Sequence, residues 1–339
     1  MVMQDVIRSL TEGERTTASQ TADAIEAIMT GAATPAQIGA FLAALRIRGE
    51  TPEIVAACLE VMHAHAEPVP VDDVIDLCGT GGDGIDTFNV STAAGFVVAA
   101  AGARVAKHGN RAASSKCGSA DLLEALGARI DLGGQQAAQV IESCGFCFLF
   151  AQRFHPAMRH VGGPRREMGI RTVFNLLGPL TNPAKPRAQL VGVGAQGLGP
   201  LVAQTLALRG MKRAMVVHSA DGLDEISPAG ITHAWVVGEG VVREQELRPS
   251  DFDLPEHPLA AVRGGDPAEN AGTMLAVMDG HEGAMTDFVL MNAAAGCYVA
   301  GLVPDFASGT ALAHEALASG RAREVFDHYV ALSKELADG

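Results

Sequence analysis

The sequence predicts an α/β protein, with a small N-terminal helical domain followed by a large α/β domain whose mostly parallel central sheet is covered by helices. Three observations predict it. Apolar residues recur at helical spacing from about Ala22 to Ala66, Glu67-Pro68-Val69-Pro70 breaks that pattern, and from Val74 onward short apolar runs alternate with helical segments, which divides the chain into residues 1–67 and 71–339. Alternation of that kind builds a parallel sheet with helices on its faces and ligands at the carboxyl ends of the strands.

Within the first domain, three helices are expected between Ala22 and Ala66. The first covers Ala22 to Met29. The second opens at Thr34-Pro35-Ala36-Gln37, where Thr34 caps, Pro35 suits the first helical position and Gln37 closes a capping box. Thr51-Pro52 opens the third in the same way. Ile38, Phe41, Leu42 and Leu45, then Ile54, Cys58, Leu59 and Met62, form stripes that must be buried against the rest of the chain or a second copy of it. In the second domain, strands are expected at Val74 to Cys78, Arg104 to Ala106, Phe146 to Phe150, Leu190 to Val193, Ala214 to His218 and Ile231 to Val237. Helices are expected near Thr92 to Ala101, Ala120 to Leu126, Gln135 to Cys144, Leu198 to Leu208, Met285 to Ala300 and Arg321 to Glu335.

Composition narrows the function. With 39 acidic and 25 basic residues the net charge is −14, and no basic run offsets it, which argues against a nucleic-acid partner. No window approaches the roughly 18 apolar residues of a membrane helix. Met1 to Arg15 has early acids and no apolar core, unlike a signal peptide. The six cysteines sit at no framework spacing, so they read as reduced, buried thiols. Cys144-Gly145-Phe146-Cys147 has redox spacing but lies at a helix end, where nothing activates a thiolate. These features together predict a cytoplasmic protein.

The chemistry concentrates after the first strand. Asp76-Leu77-Cys78-Gly79-Thr80-Gly81-Gly82-Asp83-Gly84 leads through Asn89-Val90-Ser91-Thr92 into an alanine-rich helix. Strand, glycine loop and helix start in that order present unpaired N–H groups and a positive dipole end to an anion. A loop of this kind also serves as a tight connection without a ligand, and it matches neither the phosphate-loop nor the dinucleotide signature. The next strand runs into Lys107-His108-Gly109-Asn110-Arg111 and a loop of small residues, Ala112-Ala113-Ser114-Ser115, with Ser119 beyond. These supply a cation and hydroxyl donors for a second half of an anion cradle. Asp221-Gly222-Leu223-Asp224-Glu225 follows another strand, so adjacent carboxylates fall at a strand's carboxyl end. They are either solvated charge or, beside a polyphosphate, partners for magnesium. The rigid, turn-rich Asn175 to Pro183 reads as a wall or hinge.

Taken together, Gly79 to Asp83, Asn89 to Thr92, Lys107 to Arg111, Gly169-Ile170-Arg171-Thr172, Asn175 to Pro183 and Asp221 to Glu225 resemble the anthranilate phosphoribosyltransferase family of tryptophan biosynthesis, in order and spacing along the whole chain. The resemblance implies a nucleoside phosphorylase and phosphoribosyltransferase-like fold, with part of 160–185 joining the helical domain in space. It also implies a homodimer through that domain. Phosphoribosyl pyrophosphate (PRPP) is then expected at Gly79, Gly82, Asp83, Thr87, Asn89, Val90, Ser91, Thr92, Lys107, His108, Gly109, Asn110, Arg111, Ala112, Ala113, Ser114, Ser115 and Ser119. Anthranilate is expected at Gly79, Asn110 and Arg165, with Arg165 facing its carboxylate, and His108 with Gly178-Pro179 lining the aromatic path. Mg2+ is expected at Ser91, Asp224 and Glu225. Departures from the pattern are Cys117, where a small hydroxyl is usual, and Met168, where leucine is usual. A pyrimidine nucleoside phosphorylase, which resembles this fold, would not need the Asp224-Glu225 pair, and a nucleic-acid-binding relative is opposed by the net charge.

Overall fold

The computed structural model describes residues 2–82, 84–112 and 115–338; the expectations at Asp83, Ala113 and Ser114 lie outside the described residues. The chain opens with four helices, α1 (Val2–Glu12), α2 (Ala18–Met29), α3 (Pro35–Arg48) and α4 (Pro52–Ala64). Sequence reasoning missed α1 because polar residues separate its three apolar positions; Met3, Val6 and Leu10 nonetheless fall on one face and are buried against α2 and α3. The caps read from the sequence form. Thr34 accepts from Gln37 N while the Gln37 side chain returns a bond to Thr34 N, and Thr51 accepts from Ile54 N.

The sheet holds β1 (Val74–Gly79), β2 (Arg104–Gly109), β3 (Phe146–Phe150), β4 (Ala188–Gly192), β5 (Arg213–Ser219), β6 (Thr232–Gly238) and β7 (Val241–Leu247), in the order β3-β2-β1-β4-β5-β6-β7. The first five are parallel, and β6 and β7 are antiparallel. Strand β7 was not expected from sequence. Its VVREQEL lies on an exposed edge and lacks the apolar alternation of a half-buried strand. Parallel strands β2 and β3 run outward from β1 on one side and β4 starts the other, so the crevice between the carboxyl ends of β1 and β4 is the topological switch point.

Helices cover both faces. On one side lie α5 (Val90–Ala100), α6 (Ser119–Ala125), α7 (Gly134–Cys144), α12 (Pro267–Met278), α13 (Ala284–Ala300), α14 (Phe306–Ala318) and α15 (Arg321–Asp338). On the other lie α11 (Gly199–Leu208), which packs on β5 and β6, and the N-terminal helices, whose α4 packs on α11. The stretch from His155 to Thr172 is not one continuous helix. A short α8 (Ala151–Phe154) and a single 3-10 turn precede α9 (Arg159–Met168), which ends at left-handed Gly169. Next, α10 (Val173–Leu180) makes the rigid wall expected around Pro179 a helix rather than a turn. Helix α9 packs on α2 and α3, and α10 on α3 and α4. The segment leading into the sheet is anchored by Glu67 N to Phe154 O (2.9 Å) and Val69 N to Pro183 O (3.4 Å).

Phe96 of α5 sits at the centre of the larger core, fully buried, stacked on Phe146 with centroids 3.8 Å apart and edge-on to Phe326. Three histidines meet where the N-terminal helices join the sheet. His63 of α4, His108 of β2 and His155 are held neutral chiefly by burial, their basicity pushed down to about 4, about 3 and about 4, and each lies close enough to a second to oppose its charging.

Phe96→Ala should lower stability by about 3–5 kcal/mol, as for other fully buried aromatics, read from urea denaturation; a loss under about 1 kcal/mol would contradict its central place. The histidines predict the pH dependence. Unfolded, they take up protons near their ordinary 6.5, whereas folded they do so only at 3 to 4. The stability they contribute is therefore complete above pH 6.5 and is lost as pH falls toward 4. Asp76, raised by burial from 3.8 to about 6, works in the opposite sense but with one proton against three. Urea midpoints should fall between pH 7 and 5, and a flat profile would exclude this account.

Candidate active site

The switch point opens into a cleft of about 860 Å³. Its floor begins at Gly79, the last residue of β1. A side chain at Gly79 would run into the Asp224 carboxylate, and one at Gly192, its neighbour at the end of β4, would run into the Asp224 backbone. Two glycines on adjacent strand ends thus let Asp224 lie across them. Its Oδ2 accepts a 2.6 Å hydrogen bond from Gly81 N. Burial raises the Asp224 carboxyl above its ordinary range, and the Gly81 N–H pulls the other way. Gly81 and Gly82 have φ of +65° and +73°, which places their amides where a residue with a side chain is strained.

The chain then passes Thr87, which pairs with Arg263, and Phe88, whose N–H donates to Val262 O at 3.1 Å. It enters α5 at Asn89. Asparagine is a favoured N-cap, yet the Asn89 side chain makes no cap bond. Ser91 faces the cleft, while Val90 and Thr92 are fully buried and do not line it.

Strand β2 is longer than its apolar run suggested and carries Lys107 and His108 inside it, pointing to opposite faces. Lys107 turns toward α5. Only 1% exposed, its Nζ donates to Leu77 O (2.6 Å) and Ser91 Oγ (3.1 Å), with the Asp76 charge nearby. Lys107 is therefore a buried cation under the cleft floor rather than a free arm reaching into it. The His108 ring turns toward α10, its Nδ1 3.1 Å from Gly178 O, and packs edge-on to His155.

Beyond β2, Gly109, Asn110, Arg111, Ala112, Ser115 and Ser119 all line the cleft. The Arg111 guanidinium is engaged elsewhere, bonded to Glu124 (2.5 and 2.8 Å) and Asp121 (3.1 Å), so it offers its charge to that pair. Asp121 also accepts from Ala112 N and Gly118 N, both at 2.9 Å, which fixes the loop's path.

Across the cleft stands Arg165 of α9. Its guanidinium is partly buried over the Phe174 ring, with one long contact to Asn175 Oδ1 (3.4 Å), and burial alone lowers its basicity. No carboxylate among the described residues pairs with it, so an anionic ligand would meet an uncompensated cation there. Sequence reasoning missed three further residues. Arg171 bonds Gly82 O and lies near Asp224, and Arg46 of α3 and Glu50 of the α3–α4 link line the same cleft as a 3.6 Å pair. Arg171 was visible within a motif but had no assigned partner, and nothing in the spacing of Arg46 signals that α3 reaches the sheet's crevice.

Ser91, Asp224 and Glu225 all line this cleft and offer oxygen donors beside an open helix start. Among the described residues no group of three or more His, Cys, Asp or Glu forms a closed cage. The set fits Mg2+, which keeps several waters and is completed by substrate phosphates rather than by protein alone.

Comparison with known proteins agrees with this geometry. The family model described as "Glycosyl transferase family, a/b domain" matches residues 71–323, and "Glycosyl transferase family, helical bundle domain" matches residues 4–66. The chain is 46% identical to the anthranilate phosphoribosyltransferase of Dehalococcoides mccartyi, over 100% of both chains. A crystal structure of anthranilate phosphoribosyltransferase from Thermus thermophilus superposes with a TM-score of 0.92 at 43% identity, covering 97% of this chain and 99% of that one. The Saccharomyces cerevisiae enzyme in complex with PRPP and Mg gives a TM-score of 0.90 at 30% identity, covering 98% of each chain. The chain belongs to the anthranilate phosphoribosyltransferase family.

Proposed function

We propose that the chain transfers the phosphoribosyl group of PRPP to the amino group of anthranilate, giving N-(5-phosphoribosyl)anthranilate and pyrophosphate, the second step from chorismate in tryptophan biosynthesis. The observation that carries the reading is Arg165, a partly buried cation without a carboxylate partner, facing the cleft that also holds an uncapped helix start and the Asp224-Glu225 pair. A guanidinium so placed suits the carboxylate of an aromatic acid. The remaining assignments of ligand contacts to Gly79, Gly82, Thr87, Asn89, Ser91, Lys107 to Ala112, Ser115 and Ser119 rest on the family likeness and on their shared place around the cleft.

In the reaction the C1–O bond to the diphosphate breaks and a C1–N bond forms, and the amine proton leaves to solvent. Bound Mg2+, with Ser91, Asp224 and Glu225 as its protein oxygens, would neutralise charge on the departing diphosphate. Lys107 adds a fixed positive charge from below through Ser91, and the loop and helix amides supply preorganised donors. An aromatic amine carries a free lone pair near neutral pH, so no side chain need act as base. His108 fits the cleft as a wall residue, not as a base. Its ring is buried and neutral, and Gly178 O sets its orientation.

The two structural units are read as a helical domain of residues 1–67, joined in space by α9 and α10 from 160–185, and an α/β domain of residues 71–339. Helix packing supports that grouping. A homodimer through the helical domain rests on the family likeness, and Ile47, 80% exposed at the end of α3, is a position at which to test it. A reducing compartment, the cytoplasm, fits six free and buried cysteines. Among the described residues no helix is long and apolar enough to cross a membrane.

The enzyme should consume anthranilate, followed by its fluorescence, only when PRPP and Mg2+ are both present. Arg165→Ala should raise KM for anthranilate about 10- to 100-fold, the scale of a charged hydrogen bond, with little change for PRPP. Asp224→Ala with Glu225→Ala should cost far more activity than His108→Ala. Equal losses would sink the view that no base is needed, and no consumption by folded enzyme would sink the reaction itself. For the dimer, sedimentation should give twice the chain mass and Ile47→Asp should shift it toward monomer; a wild-type monomer at micromolar concentration would refute it.

A further inference from the structure

Asn270 lies outside every loop assigned to the ligand. It belongs to the first turn and a half of α12, which packs on α6 and α5, and is 1% exposed. Its side chain bonds on both sides and also lies against the Cys117 thiol. Oδ1 accepts from Gly265 N at 2.7 Å, and Nδ2 donates to Asn89 Oδ1 at 3.0 Å. Asn89 in turn donates through Nδ2 to Cys117 O at 3.0 Å. One chain of hydrogen bonds therefore runs from the strip 262–265, which holds Asp86 and Phe88 of the first loop, through Asn270 and Asn89 to the second loop at Cys117.

Asn89 occupies the N-cap position of α5, where an asparagine oxygen ordinarily accepts from the N–H two or three residues on. Here that oxygen is taken by Asn270 and no side chain caps the helix. A capped first turn would be self-satisfied and a poorer receptor for phosphate, because the cap and the ligand compete for the same N–H groups. We infer that Asn270 is a positioning residue: by holding the Asn89 side chain toward α12 and Cys117, it keeps the first turn of α5 open to the diphosphate of the substrate.

The inference rests on the PRPP reading above, and a direct binding measurement separates the two. Calorimetric titration of wild-type enzyme with PRPP and Mg2+ should show saturable binding; its absence would overturn the reading and the inference with it. Given wild-type binding, Asn270→Ala frees Asn89 to cap α5 and should weaken PRPP roughly fivefold to tenfold, the scale of one capping bond, seen as a rise in KM for PRPP with kcat nearly unchanged. The decisive readout is the cycle with Asn89→Ala, in which no cap can form. There, adding Asn270→Ala should cost much less than it does alone. Additive losses, unchanged PRPP affinity in Asn270→Ala, or an equal fall in affinity for both substrates would overturn the inference. If Asn270→Ala does not fold, Asn270→Asp goes through the same cycle. It keeps the acceptor for Gly265 N–H and loses the donor to Asn89, and its added charge is common to both backgrounds and cancels in the coupling.

Discussion

Everything around the cleft depends on one carboxylate lying across the ends of two neighbouring strands. Asp224 can rest there only because Gly79 and Gly192, adjacent in the sheet, have no side chains to exclude it. Its carboxylate then takes the Gly81 amide and sets the path of the glycine loop, and through the loop the approach to α5. A buried acid costs free energy unless it is hydrogen-bonded or paired. Here one amide and the Arg171 charge offset part of that cost, leaving an oxygen site that a divalent cation would complete.

The cations of the cleft have distinct fates, and their differences matter more than their number. Arg111 is neutralised by Asp121 and Glu124 and serves to shape its loop. Lys107 is sealed beneath the floor, where its two hydrogen bonds join β1 to the start of α5 and its charge balances Asp76. Arg171 holds the glycine loop from the far side. Arg165 alone among these four stands over the opening with no acid to pair it. A protein of net charge −14 repels anions in general, so selective capture of an anionic pair requires this local, preorganised reversal of sign.

Much of the fold was legible because its signals are local. Pro35 and Pro52 after capping threonines, the apolar stripes and the strand runs follow from backbone sterics and burial periodicity, and the caps at Thr34 and Thr51 formed as read. Misses occurred where burial contrast was weak. Helix α1 hides three apolar residues among polar ones, β7 is an exposed edge, and β2 continues through the polar side chains of Lys107 and His108. The motif residues were found as a set, but Val90 and Thr92 turned out to face the core, since a helix presents only part of its circumference to any one side.

The sequence by itself determined the α/β class, the parallel sheet, the glycine loop before a helix start and the family, because each of these is written in short-range patterns of size, polarity and spacing. Tertiary structure alone decided which charges are free. Glu124 lies 13 positions from Arg111, Asp224 lies 143 from Gly81, and Asn270 lies 181 from Asn89. Whether a side chain offers its charge or hydrogen bond to a ligand depends on what already occupies it, and those occupants arrive from distant segments only when the sheet and its helices close around them.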